Sequence, residues 1–184
     1  MDKLAQYDRS KVIDVLTERL AFERAGVKLY DRILAVMRGM ADENVARMIP
    51  EMEGHRNEEK EHEEWLEEQI RAMGGSAHAE TDLSRLVTRE SKGIEEVVMS
   101  DAELPHLLHA LLAAELVDNA GWDLLAHIAG EAGDHGAKRE FKKRLHQEED
   151  HLLFVRKAVE KLSFQRVLGE DTQLPTKSPM HLIP

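Results

Sequence analysis

The sequence contains no cysteine and few aromatic residues, which make up 4% of the chain. Without cysteine the chain forms no disulfide bond, no thiolate metal site and no iron–sulfur cluster. Runs of β-branched residues are also few, whereas Glu, Leu, Ala, Lys and Arg, which favour helices, are abundant. This composition predicts an all-α protein, and 184 residues suffice for one domain with a substantial core.

The chain also lacks an apolar run near the roughly 18 residues that a membrane span requires. Its first residues, MDKLAQYDRSK, contain no apolar core of the kind found in a signal peptide, so we expect a cytoplasmic protein. The formal net charge is −11, whereas binding to nucleic acid needs a basic surface. We therefore expect neither a membrane nor a nucleic acid among its partners.

Four long segments have apolar residues spaced three and four apart, which predicts amphipathic helices. They cover residues 8–39, 42–73, 101–130 and 134–168, and we expect Asp101 to cap the third. Helices of about 30 residues are about 45 Å long, which is the scale of a four-helix bundle. The long connection between the second and third helices, 76–100, is expected to carry a short helix over 83–98. The bundle is predicted to occupy residues 1–168, and the proline-rich tail, 169–184, to be extended or disordered.

The apolar face of each predicted helix is interrupted once, near its middle, by a glutamate. The four glutamates are Glu23, Glu59, Glu115 and Glu148. A histidine follows the second and the fourth by three positions, at His62 and His151. The order Glu, then Glu-x-x-His, thus occurs twice, which predicts two helix pairs related by a pseudo-twofold axis. Tyr30 and Trp122 extend the match, because each follows the first glutamate of its half by seven positions.

Ionised carboxylates in an apolar core are too costly to leave without a cation, a proton or many hydrogen bonds. Two divalent metal ions between the four glutamates and two histidines would remove their mutual repulsion. The Glu-x-x-His motif alone is a weak signal, and the prediction depends on the repeated order. The alternative is that Glu23 and Glu115 form salt bridges with Arg or Lys across the bundle.

At these residues the chain resembles the ferritin-like superfamily of four-helix carboxylate proteins that bind two iron or manganese ions. The resemblance covers residues 8–168, and two histidines fit the rubrerythrin-like branch and the manganese catalases better than classical ferritins. It implies six metal ligands, which are Glu23, Glu59, His62, Glu115, Glu148 and His151. It also implies a further carboxylate three residues after the third-helix ligand, at Asp118, which could bind or release a metal ion.

The resemblance further implies a redox enzyme that acts on peroxide or O2, either as a peroxidase or by oxidising Fe(II). Two iron ions are the expected cofactor, manganese is the alternative, and zinc could occupy the site in a purified sample. Rubrerythrins commonly add a cysteine-rich rubredoxin domain, and this cysteine-free chain would need an external electron donor instead. A manganese catalase and an iron-storage protein remain the alternative functions.

Three further expectations concern individual residues. Tyr30 and Asp118 are the candidates to serve the reaction; Tyr30 is expected either to hydrogen-bond a ligand carboxylate or simply to pack within the bundle. His55 precedes Glu59 by one turn and is either a further ligand or a core histidine. Helices this long usually bury a second face against another subunit, so we expect a homodimer or a larger homo-oligomer. The residues expected to form that face are Val12, Val15, Phe22 and Leu29.

Overall fold

The structure, a computed structural model, describes residues 1, 3–169 and 173–178, and their regular secondary structure is entirely helical. The helices, in chain order, are α1 Leu4–Tyr7, α2 Arg9–Arg38, α3 Glu43–Ala72, α4 Asp82–Val98, α5 Leu104–Glu131 and α6 His135–Leu168. The long helices α2, α3, α5 and α6 correspond to the four predicted ones. The predicted all-α bundle, with a long connection between its second and third helices, is confirmed.

Aspartate caps explain where three of the long helices begin. The side chains of Asp8, Asp42 and Asp134 each accept a hydrogen bond from backbone N–H groups in the first turn of α2, α3 and α6. The first N–H groups of a helix have no partner within it, so each cap satisfies a donor that would otherwise need water.

The prediction that Asp101 caps the third long helix is wrong. Helix α5 begins at Leu104, with Glu103 at the N-cap position and no side-chain cap. Pro105 lies in the first turn, where its missing N–H costs no hydrogen bond and its fixed φ angle suits the helix. The proline therefore marks the start of this helix better than the upstream aspartate does.

The bundle consists of two helix pairs, α2 with α3 and α5 with α6, each joined by a short loop. Helix α2 also packs against α5, and α4 packs on both of these helices. Two apolar core clusters lie toward opposite ends of the bundle, one containing Met48 and Phe154 and the other Leu66 and Phe141. The predicted site residues lie between them. Among the described residues, no helix is long and apolar enough to cross a membrane.

Helix α4 corrects the prediction about the outer face of α2. Phe22 and Leu29 are 4% and 2% exposed and belong to the same core cluster as Val87 and Val98 of α4. These two residues are therefore covered within the chain and do not form a face for another subunit. Val12 and Val15, the other two predicted residues, are half-buried against the second core cluster.

Part of the predicted tail lies against the bundle. Residues 173–178 form no helix, Leu174 packs into the first core cluster, and the Ser178 hydroxyl donates to Asp150 Oδ1 at 2.9 Å. The Ser178 backbone N–H donates to Glu51 Oε1 at 2.8 Å. The rest of the predicted tail, 170–172 and 179–184, lies outside the described residues.

Candidate metal centre

The structure brings all six predicted ligands together between the two core clusters. Each long helix contributes one glutamate, and α3 and α6 also contribute a histidine one turn later. Every one of these side chains belongs to a residue that is at most 2% exposed. Their polar atoms form overlapping groups that can hold a metal ion, and these define two sites that share Glu148.

The first group, here called the His151 site, consists of Glu59, Glu115, Glu148 and His151. One donor atom from each residue lies within 4.8 Å of the others. The Nδ1 atom of His151 is 3.2 Å from Glu59 Oε1, 3.3 Å from Glu148 Oε2 and 3.8 Å from Glu115 Oε2. Three carboxylates therefore surround the inward nitrogen of this histidine.

The second group, the His62 site, consists of Glu23, His62 and Glu148. The Nδ1 atom of His62 is 2.8 Å from Glu148 Oε1 and 3.4 Å from Glu23 Oε2. Glu148 thus turns one oxygen toward each histidine, which is the arrangement a carboxylate adopts when it bridges two metal positions.

The outward nitrogens of both histidines have hydrogen-bond partners on the opposite helix. His151 Nε2 donates to Glu58 Oε2 at 2.8 Å, and His62 Nε2 donates to Gln147 Oε1 at 3.1 Å. Gln147 Nε2 in turn donates to Glu58 Oε1 at 2.9 Å. Such contacts orient a metal-binding imidazole and leave its other nitrogen free to face the metal. The sequence analysis missed both partners, although each directly precedes a predicted glutamate ligand.

Tyr30 and Trp122 hold one ligand carboxylate each, and they do so across the two halves. The Tyr30 hydroxyl on α2 donates to Glu115 Oε1 on α5 at 2.7 Å. Trp122 Nε1 on α5 donates to Glu23 Oε1 on α2 at 2.8 Å. This reciprocal arrangement is what a pseudo-twofold relation between the halves predicts. In each carboxylate the second oxygen, Oε2, remains for the centre of the site.

Gly26 provides the space that the Glu59 carboxylate occupies. A Cβ atom at position 26 would lie 2.3 Å from Glu59 Oε2, so only glycine fits there with the carboxylate in this position. Glycine inside a helix costs about 1 kcal/mol relative to alanine. The sequence therefore contained one sign of this role, which is a destabilising glycine in the middle of α2, three positions after Glu23.

Asp118 lies at the site, but its nearest charged neighbour is an arginine. Arg19 is 1% exposed, and its Nη1 atom is 3.3 Å from Asp118 Oδ1 and donates to the Asp118 backbone oxygen at 3.2 Å. The same side chain approaches α5 so closely that a Cβ atom at Gly121 would lie 1.5 Å from Nη1. Asp118 also forms a possible metal-binding group with Glu23, Glu59 and Glu148. The sequence analysis did not identify Arg19.

His55 and Arg144 lie one turn before Glu59 and Glu148, at opposite ends of the site. The His55 ring centroid is 4.4 Å from that of His151. None of the metal-binding groups found among the described residues includes His55. The Arg144 guanidinium lies 3.7 Å from the centroid of the Trp65 ring and 5.9 Å from that of Trp122.

The imidazoles bind protons strongly in the absence of metal. Burial disfavours the charged ring of His62, but the adjacent Glu148 and Glu23 carboxylates outweigh it and raise its pKa to about 10. Burial acts on His151 in the same direction, and Glu148, Glu58 and Glu59 raise its pKa well above the usual value. The two imidazoles in turn overcome the effect of burial on Glu148 and lower its pKa.

The remaining carboxyl groups favour their neutral forms. Burial and the charge of neighbouring carboxylates raise the pKa of Glu59 well above its usual value, and burial raises that of Glu115 to about 8. Burial also raises the pKa of Asp118, in spite of the opposing charge of Arg19. Protons thus reduce the repulsion in this cluster, and a metal ion that binds here must displace them.

The chemistry of the donor set fits metal ions better than it fits a purely protein interior. Buried polar atoms are almost always hydrogen-bonded, yet Glu23 Oε2, Glu59 Oε2 and Glu115 Oε2 have no well-formed hydrogen bond within the described residues. The two oxygens of Glu148 have no partner there except the Nδ1 atoms of His62 and His151, at 2.8 and 3.3 Å. These five oxygens and the two Nδ1 atoms converge on one region. Oxygen and imidazole donors together suit divalent iron or manganese.

Comparison with solved structures identifies a ferritin-like fold. A ferritin-like, diiron-carboxylate protein from Bacillus anthracis str. Ames aligns with a TM-score of 0.65 and 16% identity, over 83% of this chain and 98% of that one. Dps from Thermosynechococcus elongatus aligns with a TM-score of 0.63 and 16% identity, over 80% of this chain and 89% of that one. No protein-family model and no curated protein sequence matches the chain.

Proposed function

We propose that the six residues bind two metal ions and that the protein is a di-iron redox enzyme acting on peroxide or O2. The observation that carries the proposal is the convergence of five buried carboxylate oxygens and two inward imidazole nitrogens, where the imidazoles themselves are the nearest donors to the oxygens of Glu148. The ferritin-like fold supports it, because one structure with this fold is a diiron-carboxylate protein.

The salt-bridge alternative explains too few of the buried charges. Arg19 Nε lies 3.7 Å from Glu23 Oε1, and the same guanidinium lies beside Asp118. One arginine cannot neutralise both of these carboxylates and also Glu59, Glu115 and Glu148. Two divalent cations would neutralise the negative charges of the four glutamates. The positive charge of Arg19 would neutralise that of Asp118.

Two bound Fe(II) ions would supply the two electrons that, with two protons, convert hydrogen peroxide to two molecules of water. The protein residues keep the ligands in place for this reaction. Tyr30 holds Glu115, and burial with the nearby negative charges raises the pKa of Tyr30 well above its usual value, so the phenol remains a donor. Trp122 holds Glu23 in the same way from the other half.

The burial of the centre restricts what can react there. All six ligand residues are at most 2% exposed, so the substrate must be as small as peroxide or O2. No thiol in the chain can return electrons to the metal ions, because the sequence has no cysteine. We therefore propose that an external donor reduces the centre after each turnover.

The role of Asp118 separates the candidate functions. We propose that Asp118 releases Arg19 and takes part in the reaction, without being needed to hold either metal ion. The protein is loaded anaerobically with Fe(II), and its oxidation by hydrogen peroxide and by O2 is followed in a stopped-flow spectrometer. Faster reaction with peroxide, together with slower turnover but two retained metal ions in Asp118→Ala, supports a peroxidase.

The same measurements would identify the alternatives. Faster reaction with O2 and hundreds of iron ions retained per assembly would establish storage. Rapid O2 evolution from peroxide by manganese-loaded protein would establish a catalase. Absence of bound metal after loading would contradict the whole proposal.

We also propose that the protein forms a homodimer or a larger homo-oligomer, through a surface other than the one first predicted. Helix α5 exposes Leu116, Val117 and Leu124, each about half accessible to solvent, on one face. Large apolar residues grouped on the outside of a bundle are typical of subunit contacts. Light scattering at micromolar concentration measures the assembly directly, and a monomer would contradict this expectation.

A further inference from the structure

We propose that the two metal positions are unequal: the His151 site binds its ion first and tightly, and the His62 site binds the second ion weakly. The inference rests on the proposed dinuclear centre and adds an order of binding to it. The difference between the partners of the two histidines carries it, and two further differences around the carboxylates support it.

The first difference is the partner of each histidine. Glu58, which accepts from His151 Nε2 at 2.8 Å, is a carboxylate, whereas Gln147, which accepts from His62 Nε2 at 3.1 Å, is a neutral amide. A carboxylate behind a metal-binding imidazole makes the ring a better ligand than an amide does, because it stabilises positive charge on the ring. Loss of such a partner commonly weakens metal binding about 10–100-fold.

The second difference is the number of carboxylates that meet each ion. The group that includes His151 also contains Glu59, Glu115 and Glu148, whereas the group that includes His62 contains Glu23 and the shared Glu148. Glu59 and Asp118 lie near Glu23 as well, but not within the group that includes His62, and Asp118 is paired with Arg19. Each additional carboxylate adds negative charge close to the bound cation. At equal distances, the His151 site therefore attracts a divalent ion more strongly.

The third difference is the position of buried cationic groups. Arg19 lies 3.7 Å from Glu23 and competes with a metal ion for this carboxylate. Arg144 lies near Trp122, which donates to Glu23. At the corresponding places in the other half, four positions before Glu115 and Glu59, the chain has Leu111 and His55. Within the described part of the chain, arginines therefore lie beside the His62 site and not at the equivalent positions beside the His151 site, although Asp118 partly compensates the charge of Arg19.

The order of binding is measured with Zn²⁺, which has no redox chemistry to complicate the result. Metal-free protein is titrated with Zn²⁺ in competition with a chromophoric chelator, and we expect two steps separated by at least about 10-fold in affinity. A crystal prepared with one equivalent of Zn²⁺ should show anomalous scattering beside His151. Scattering of equal strength at both sites, or stronger scattering beside His62, would overturn the inference.

Two substitutions of nearly identical shape test the cause. Gln147→Glu should strengthen the second step about 10-fold or more relative to the first, because it places a carboxylate behind His62 and removes the 2.9 Å hydrogen bond that Gln147 donates to Glu58. Glu58→Gln should weaken the first step to a similar extent. Glu64→Gln is the matched control, since Glu64 is exposed on the same helix and its loss removes one negative charge without changing either histidine's partner.

The outcomes distinguish this inference from the function on which it rests. Two equal steps that neither Gln147→Glu nor Glu58→Gln changes would overturn the unequal sites and leave a dinuclear centre. Binding of no Zn²⁺, or of a single ion at saturation, would instead overturn the dinuclear centre. An equal effect of Glu64→Gln would show that long-range charge, and not the histidine contact, controls the affinity.

Discussion

The two halves of the bundle, α2 with α3 and α5 with α6, supply the same ligands but surround them differently. Ligand types and spacings repeat, whereas the residues at equivalent positions nearby differ in charge. The differing pairs, first half before second, are Arg19 and Leu111, Gly26 and Asp118, His55 and Arg144, and Glu58 and Gln147. In the proposed centre, coordination would account for the repeated residues, whereas their neighbours differ and make the two sites chemically distinct.

The pair formed by Gly26 and Asp118 shows how far this divergence goes. Both follow the first glutamate of their half by three positions. On α2 the absence of a side chain admits the carboxylate of Glu59, whereas on α5 a second carboxylate enters and is accompanied by Arg19. The same position is used to make room in one half and to add charge in the other.

Removal of the metal ions is expected to have the largest effect on stability, because it removes ligand binding from both halves of the bundle. Ligand binding at 1,000 times its dissociation constant stabilises a protein by about 4 kcal/mol per site. For a chain of this size, two sites correspond to a fall in Tm of more than about 10 °C after chelation. Scanning calorimetry with and without a chelator measures this change. An unchanged curve would favour the salt-bridge alternative over both metal sites.

The next effect is on the metal-free protein, whose stability should fall as pH rises. The pKa of His62 is raised from its ordinary value of 6.5 to about 10 in the folded protein, and that of Glu115 is raised from 4.5 to about 8. Between pH 6.5 and 8 the folded state therefore holds more protons than the unfolded state at both residues, so the free energy of unfolding decreases with pH.

Two protons correspond to a decrease of about 2–4 kcal/mol over this range, at about 1.4 kcal/mol per proton and pH unit. Urea unfolding of metal-free protein at several pH values measures it. His62→Gln should reduce the slope by removing the contribution of the α2–α3 half, and Glu115→Gln should reduce it by removing that of the α5–α6 half. A slope that is zero or positive in metal-free protein would contradict the proposed protonation.

Two glycine substitutions compare how closely each half is packed. In Gly121→Ala the new methyl group would overlap Arg19, so this variant should lose about 1–3 kcal/mol of stability even without metal. Gly26→Ala would displace the Glu59 carboxylate and should mainly weaken metal binding at the His151 site. Gly54→Ala is the control, because no atom lies within 4 Å of a Cβ there. Equal behaviour of all three variants would contradict this contrast.

The smallest expected effect concerns the hydrogen bonds that hold Glu115 and Glu23. Tyr30→Phe removes a 2.7 Å bond to Glu115 with little change of shape and should cost about 1–2 kcal/mol in the metal-free protein. Trp122→Phe removes the 2.8 Å bond to Glu23 and also leaves a cavity, so it should cost more. Denaturant titration compares the two variants. A larger cost for Tyr30→Phe would show that the halves hold their glutamates by different means.

The sequence predicted the inward residues well, because a helix periodically returns each face to the core. Glu23 and Glu115 are conspicuous as carboxylates on apolar stripes, and the repeated order associates them with the two Glu-x-x-His motifs. Helix positions and the short helix in the connection followed from the same periodicity. The start of α5 did not, since Asp101 and Pro105 gave competing signals.

Residues whose roles depend on the opposite helix could not be predicted in the same way. Glu58 and Gln147 lie beside charged positions and resemble an ordinary solvated face until α3 and α6 are placed together. Phe22 was predicted to be an outer residue because nothing in its own helix reveals that it is buried in a core cluster that includes residues of α4. Arg19 is buried only because Gly121 leaves space on α5. Each of these facts depends on contacts between helices, which periodicity does not encode.

The hydrogen bonds of Glu58 and Gln147 cross from one helix pair to the other, and this has a consequence for folding. Each half carries the partner that orients the histidine of the other half. Neither helix hairpin alone can present a correctly oriented set of the proposed ligands, so metal uptake at the proposed centre would follow the docking of the two hairpins. The bound ions would then slow separation of the hairpins, and dissociation of the metal would precede or accompany global unfolding.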